Sequence, residues 1–176
     1  MISVGTCPLH VGNNTLNKLL KIIGEEGSMK LDTLAADLHG FMANSAARRI
    51  EYTESESITE VTARFMLRHV KTRWLSLEKV LIRIIEQWPN LKHFFLVTVV
   101  EDKQFKSTIS KSEQYQRIVK VLKNEEQTLA YSTFAVYVAS IFSKFVMPLQ
   151  TSTPMIHNLY SMCQDLVTFM DIFLIL

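Results

Sequence analysis

The chain is poor in cysteine and has little net charge, and both features limit what it can be. Its 176 residues include only two cysteines, Cys7 and Cys163. Two thiols are too few for a disulfide framework, so we expect a reducing compartment. The formal net charge is +2, without the strong basic excess of a dedicated nucleic-acid-binding domain. Any nucleic-acid-binding surface must therefore come from local clustering of basic residues.

Long, uniformly apolar runs are also missing. The amino terminus has no basic region followed by an apolar run, as a secretory signal peptide would have. The most apolar stretch, 129–149, carries Thr133, Ser140, Ser143 and Lys144 roughly on one helical side. A helix that spans a bilayer needs about 20 residues that are apolar all round. We therefore predict an amphipathic core helix here and no membrane span.

Sequence motifs of common enzymes are absent as well. The chain has no G-x-S-x-G, P-loop, glycine-rich dinucleotide turn, H-E-x-x-H or calcium loop. A Ser-His-acid or Cys-His arrangement that assembles only in space stays open. We predict no catalytic residue and no cofactor.

Cys7 and His10 form a C-x-x-H pair, which is half of a tetrahedral zinc site. His157 and Cys163 resemble a second pair, but their separation of six residues is not a usual ligand spacing. We expect Cys7 to pack as a small hydrophobe, His10 to form hydrogen bonds near a turn, and no metal to bind.

Helical periodicity dominates the rest of the chain. Apolar residues at spacings of three and four predict helices, among them the stretches 31–42, 77–88 and 156–173, with a shorter one at 46–53. Asn124 is a predicted capping residue before a further helix, whereas the polar stretch 101–111 is predicted to be a loop. Residues 1–7 are the only strand candidate. The predicted fold is therefore mainly α, a helical bundle with at most one short N-terminal strand.

The charge pattern changes most sharply between residues 60 and 64. Residues 64–83 hold six basic residues against one acidic residue, after an acidic stretch at 51–60. Within them, Lys71 and Arg73 flank Trp74, a combination that neutralises phosphates and stacks on an unpaired base. The alternative is that Trp74 packs into the bundle, the commoner fate of a large aromatic. Ser76 is predicted to cap the helix that follows, with Glu78 in its first turn.

The run Lys71-Thr-Arg-Trp-Leu-Ser-Leu-Glu-Lys79, followed by Arg83-Ile-Ile-Glu-Gln-Trp-Pro-Asn-Leu91, resembles the insertion domain of hAT-superfamily transposases and their domesticated relatives. Further similar stretches are 5–14, which contains the C-x-x-H pair, 37–49 and 150–160. The resemblance covers nearly the whole chain.

The resemblance implies a ribonuclease-H-like core interrupted by a helical insertion. Residues 1–24 would be a remnant of the core and residues 25–176 the insertion domain. The family holds its catalytic divalent metal with two aspartates and a glutamate, because paired metal ions clamp the attacking and leaving oxygens of a phosphodiester. Its landmarks place these acids before the C-x-x-H pair and after the insertion, so we expect all three to be missing. The resemblance also implies that Cys7 and His10 match a C-x-x-H pair that the family keeps near its active site, and that Trp74 lies near the transposon end and can stack on a flipped base.

Three functions follow as hypotheses. The first is a catalytically inactive transposase-derived fragment, domesticated or truncated, with weak DNA contact through Lys71, Arg73 and Trp74. The second is a protein–protein interaction or scaffold module without nucleic-acid binding, which self-associates through apolar helices such as the tail at 166–176. The third, an active transposase or nuclease, requires a partner chain to supply the acids. The expected location is the nucleus or cytoplasm, with the resemblance favouring the nucleus.

Overall fold

The fold was analysed in a computed structural model. It describes residues 14 and 18, both helical, and the ranges 30–70, 75–147 and 156–174. The predicted strand at 1–7, the C-x-x-H pair of Cys7 and His10, and the Lys71, Arg73 and Trp74 contact residues lie outside these ranges.

Helices account for most of the described chain, and the predicted apolar stretches form them. The first half contains α1 (Leu31–Ala43), α2 (Ala46–Glu54), α3 (Glu56–Thr59), α4 (Leu75–Glu86) and α5 (Trp88–His93). The helical path continues through a π-helical segment (Phe94–Thr98) into α6 (Val99–Glu101), and then come α7 (Lys103–Ile109), α8 (Glu113–Lys123), α9 (Glu125–Val146) and α10 (Ile156–Leu174). The described residues contain no strand, so the prediction of a mainly α fold and a helical bundle is confirmed.

Local sequence explains where several of these helices begin. Ser45 caps α2, because its hydroxyl accepts a hydrogen bond from the backbone N–H of Arg48 at 3.3 Å. Pro89 lies in the first turn of α5, where its missing N–H costs nothing. The helix start predicted at Asn124 is confirmed, but the Asn124 side chain makes no capping bond to the backbone and instead contacts Gln127.

The prediction of a loop at 101–111 is wrong. Residues 103–109 form α7, which starts after the extended backbone of Asp102 and whose Lys106 N–H bonds to the Asp102 carbonyl at 2.9 Å. Ile109 is buried at the end of this helix. A short polar helix needs only one or two apolar anchors when its neighbours supply the rest of the core, and this is why its composition alone indicated a loop.

The core lies where α4 packs along α9 and where α1 packs against α4 and α8. Each helix presents residues one turn apart to the interior, which is the stripe an amphipathic helix must bury. Fully buried members include Leu38, Phe41, Leu81, Ile84, Leu91, Ile118 and Phe142. None of the described helices has the length and apolar character needed to cross a bilayer.

Two specific contacts fix α8 against the other helices. The Tyr115 hydroxyl donates to the Phe95 carbonyl at 2.9 Å, within the π-helical segment where regular i→i−4 bonding is interrupted. Arg117 binds both oxygens of Asp37 on α1, at 2.8 and 2.9 Å. Such a two-bond pair sets the orientation of two helices more sharply than a single contact.

Candidate nucleic-acid interface

Residues 61–70 form a segment without helix or strand between α3 and α4. We call it the extended segment, because its contacts reach from Asn90 at one end to Ser76 at the other. It starts where Glu60 ends α3 with a φ of 59°, the left-handed region, while its N–H bonds to the Glu56 carbonyl at 3.0 Å. A left-handed residue at this position ends a helix and redirects the chain. The segment then continues without helical turns to Val70.

Two buried amides hold the first half of the extended segment. Gln87 donates from Nε2 to the Thr62 carbonyl at 3.0 Å and accepts from the Arg64 N–H at 2.8 Å. Asn90 donates from Nδ2 to the Val61 carbonyl at 2.9 Å. Both amides are almost fully buried. The backbone of the extended segment supplies their hydrogen-bond partners, without which burying the two amides would be costly.

Two further side chains of α4 hold the second half. Arg83 donates from Nη1 to the Phe65 carbonyl at 2.9 Å. The Ser76 hydroxyl accepts from the Val70 N–H at 3.1 Å and lies 3.1 Å from His69 Nδ1. The prediction that Ser76 caps α4 is wrong, because Ser76 lies within the helix and its hydroxyl binds this segment instead.

The order of these contacts sets the direction of the extended segment. Its start lies beside the α5 amide Asn90 and its end beside Ser76 in the first turn of α4, so it runs antiparallel to α4. Met66 points inward and is buried, whereas Arg64, Phe65 and Arg68 are exposed. Phe65 is 48% exposed, a high value for an aromatic ring.

Basic residues border the extended segment. We call Arg64, Arg68, Lys79 and Arg83 the basic strip; Lys79 lies one turn before Arg83 on α4. Arg64 and Arg83 share Glu86, at 3.9 and 3.5 Å. Arg68 and Lys79 are exposed, and neither has an ion pair within the described ranges. Glu56 also borders the segment, because its Oε2 accepts from the Ala63 N–H at 3.1 Å. Four cations and two carboxylates therefore leave a local formal charge of +2.

The remaining acid of α4 is directed elsewhere. Glu78 accepts a hydrogen bond from the Ser143 hydroxyl on α9 at 2.5 Å. It therefore stabilises the packing of α4 on α9, and we do not count it against the basic strip.

The structure does not bring the sequence-predicted contact residues together in a described site, because Lys71, Arg73 and Trp74 fall between described ranges. They follow the extended segment directly in sequence. Sequence reasoning did find Arg64, Arg68, Lys79 and Arg83 as part of the basic stretch, but missed the extended backbone and the two amides that hold it. Gln87 and Asn90, two amides beside an apolar helical stripe, were the available signal.

Other candidate chemistry is sparse in the described ranges. No group of three or more histidine, cysteine, aspartate or glutamate side chains there could hold a metal ion. His93 Nδ1 lies 3.3 Å from the hydroxyl of Ser55, an interaction between α5 and the junction of α2 with α3. Cys163 is exposed on α10.

No protein-family model, curated protein or solved structure matches this chain. The resemblance to the hAT insertion domain therefore rests on the sequence landmarks alone.

Proposed function

We propose that this chain is a non-enzymatic helical binding module that contacts single-stranded nucleic acid through the basic strip and the adjoining Lys71, Arg73 and Trp74. The observation that carries the proposal is the extended segment, whose backbone is bound by Gln87 at the junction of α4 and α5 and by Arg83 of α4, while Arg64, Phe65 and Arg68 are exposed. Interleaved cations and aromatic rings are the combination that binds unpaired strands, because cations neutralise phosphates while rings stack on bases.

The hAT resemblance also supports this proposal. An insertion domain of that family would present its Thr-Arg-Trp tryptophan to a flipped base near a transposon end, and Trp74 is the matching residue in this sequence. The proposal assigns no catalytic residue and no cofactor, and it describes a transposase-derived fragment that retains contact with a strand but does not cut it. A nuclear location would follow from this role.

Fluorescence anisotropy with a labelled oligothymidylate of about 20 nucleotides, long enough for one compact binding surface, tests the proposal. The Arg68→Gln/Lys79→Gln double variant should make the negative slope of log K against log salt shallower by about 1.4, since each lost phosphate contact on a single strand contributes about 0.7. Trp74→Ala should raise Kd at least about fivefold, because one stacked base contributes about 1–3 kcal/mol.

A Lys103→Gln/Lys123→Gln double variant is the matched control. It removes two positive charges from exposed positions of α7 and α8 and should bind like the unmodified chain after allowance for net charge. Equal affinity and salt slope for the two double variants would contradict the proposed surface. Nicking of plasmid DNA that depends on added Mg²⁺ and survives in independent preparations would contradict the non-enzymatic role.

A second candidate function is a protein-interaction module, and the surface of α10 favours it. Tyr160 and Val167 on this helix are 73% and 57% exposed. Exposed large apolar side chains on one helix are typical of surfaces that bind another protein. Light scattering at increasing concentration should then show self-association that Tyr160→Ser/Val167→Ser abolishes. A monomer throughout would contradict this second function.

A further inference from the structure

A cleft opens between α1 and α8, remote in sequence from the basic strip. Its volume is about 220 Å³ and its apolar wall consists of Leu34, Ile118 and Val121. A water molecule takes about 30 Å³ in the liquid, so the cleft has room for a ligand of about seven or eight non-hydrogen atoms. This is the size of a small metabolite and too small for a typical drug-sized ligand.

The polar lining of this cleft is predominantly cationic. Lys30 and Lys120 line it, and neither has an ion pair within the described part of the chain. Arg117 and Asp37 also line it, but they bind each other through two hydrogen bonds and so neutralise each other locally. Two lysines without an ion pair in the described ranges therefore line the cleft together with its apolar wall.

The Asp37–Arg117 pair also makes the cleft a fixed feature of the fold. Asp37 is largely buried, with its side chain 12% exposed. Its carbonyl accepts from the Gln114 side chain at 2.8 Å, a further link between α1 and α8. Hydrogen bonds of this kind hold the two helices at a set distance, so the cleft does not need to be opened by a ligand.

We propose that this cleft binds a small organic anion, a carboxylate with a short apolar body. The carboxylate would lie between Lys30 and Lys120, while the apolar body would contact Leu34, Ile118 and Val121. An apolar wall with a few converging polar groups is the general composition of a small-molecule site. This site is independent of the proposed nucleic-acid contact.

Titration with sodium hexanoate, followed by two-dimensional amide NMR, tests the proposal, and 1-hexanol serves as the neutral analogue. We expect saturable shift changes at Thr33, Leu34, Ile118 and Val121, with a Kd of about 1 mM for a ligand of this size. 1-Hexanol should bind at least about threefold more weakly, because it lacks the charge that an exposed ammonium stabilises.

The Lys30→Gln/Lys120→Gln double variant should weaken hexanoate binding by about 3- to 10-fold. Lys123→Gln is the matched control: it lies on the same helix, is exposed and does not line the cleft. Thermal unfolding should confirm that both variants fold. Equal binding of hexanoate and 1-hexanol, equal Kd values for the double variant and the control, or shift changes mapped away from the cleft would each overturn the proposal.

Discussion

Gln87 shows how a single buried amide can decide the conformation of a distant segment. Its Oε1 accepts from the Tyr52 hydroxyl and from the Arg64 N–H, both at 2.8 Å, while its Nε2 holds the Thr62 carbonyl. The Tyr52 hydroxyl is protonated at neutral pH and donates to Gln87, and burial raises its pKa further. The amide thus links α2, the extended segment and the helix junction at one point.

Gln87→Met should lower the free energy of unfolding by about 2–4 kcal/mol, because it leaves the Tyr52 hydroxyl and segment backbone groups without partners. Urea unfolding measures the change. Gln116→Met on the exposed side of α8 is the matched control and should change stability by less than about 0.5 kcal/mol. If the two substitutions cost the same, the amide does not hold the segment.

Ser132, unlike Gln87, is a buried polar residue that contributes little to stability. It is fully buried in α9, and its hydroxyl has no hydrogen-bond partner in the described part of the chain. Ser132→Ala should raise the free energy of unfolding by about 1 kcal/mol, since it removes an unsatisfied hydroxyl and improves helix propensity.

Ser140→Ala on the same helix provides the comparison, because the Ser140 hydroxyl donates to the Tyr137 carbonyl at 2.7 Å. Ser140→Ala gains the same helix propensity but loses this hydrogen bond. It should therefore raise the free energy of unfolding less than Ser132→Ala does. Destabilisation by Ser132→Ala would show that the hydroxyl has a partner. Differential scanning calorimetry resolves the two.

At the scale of elements, the helices with clear apolar stripes could be predicted from sequence, and the extended segment could not. α1 and α4 bury residues at spacings of three and four, a local pattern that tertiary contacts only reinforce. The extended segment is decided by Gln87 and Asn90, which lie 25 and 29 residues from the carbonyls they bind. α7 was missed for a related reason, since its sequence is mostly polar and a buried residue such as Ile109 gives almost no periodic signal by itself.

Glu60 marks the junction between α3 and the extended segment, and its backbone conformation gives a prediction for this element. A residue with a side chain is strained at a φ of 59°, whereas glycine is not. Glu60→Gly should stabilise the fold by about 0.5–1 kcal/mol, and Glu60→Ala should not. Guanidinium unfolding of both variants measures this. A larger gain for alanine than for glycine would show that α3 does not end in this conformation.

Glu125 joins the start of α9 to α5, and this link should depend on pH. It accepts from Lys92 and from the Trp88 indole, the latter at 2.9 Å. The hydrogen bond from Lys92 lowers the pKa of Glu125, and the bond from Trp88 acts in the same direction. A carboxyl group with a lowered pKa in the folded state stabilises the fold above its unfolded pKa, and this stabilisation is lost as pH falls through the folded pKa.

Glu125→Gln should therefore lower the unfolding midpoint at neutral pH more than at acidic pH. Urea unfolding at about pH 7 and about pH 3, below the ordinary pKa of glutamate, measures the difference. Glu126→Gln is the control, since Glu126 is exposed in the same turn and forms no ion pair within the described ranges. Equal pH dependence in both variants would rule out the link.

At the scale of the whole molecule, an aromatic cluster joins elements from both halves of the chain. The Phe41 ring lies 4.9 Å from that of Phe95 and 6.3 Å from that of Phe94. Tyr52 contacts Phe94, and Tyr115 contacts Phe95. Because α1, α2, the π-helical segment and α8 all contribute, the cluster cannot open in one element without disturbing the others. Unfolding of this part should therefore be cooperative.

Phe41 and Phe65 allow stability and binding to be separated. Phe41→Ala should lower the free energy of unfolding by about 3–5 kcal/mol, as is usual for a buried phenylalanine, because its side chain is 1% exposed. Phe65→Ala should lower it by less than about 1 kcal/mol, since the ring is half exposed. Oligothymidylate binding should follow the reverse order when both variants are compared under conditions where they are folded: Phe65→Ala should weaken it, and Phe41→Ala should not. If Phe65→Ala leaves binding unchanged while Phe41→Ala abolishes it in the folded state, the exposed ring is not part of the interface and the nucleic acid binds at another surface.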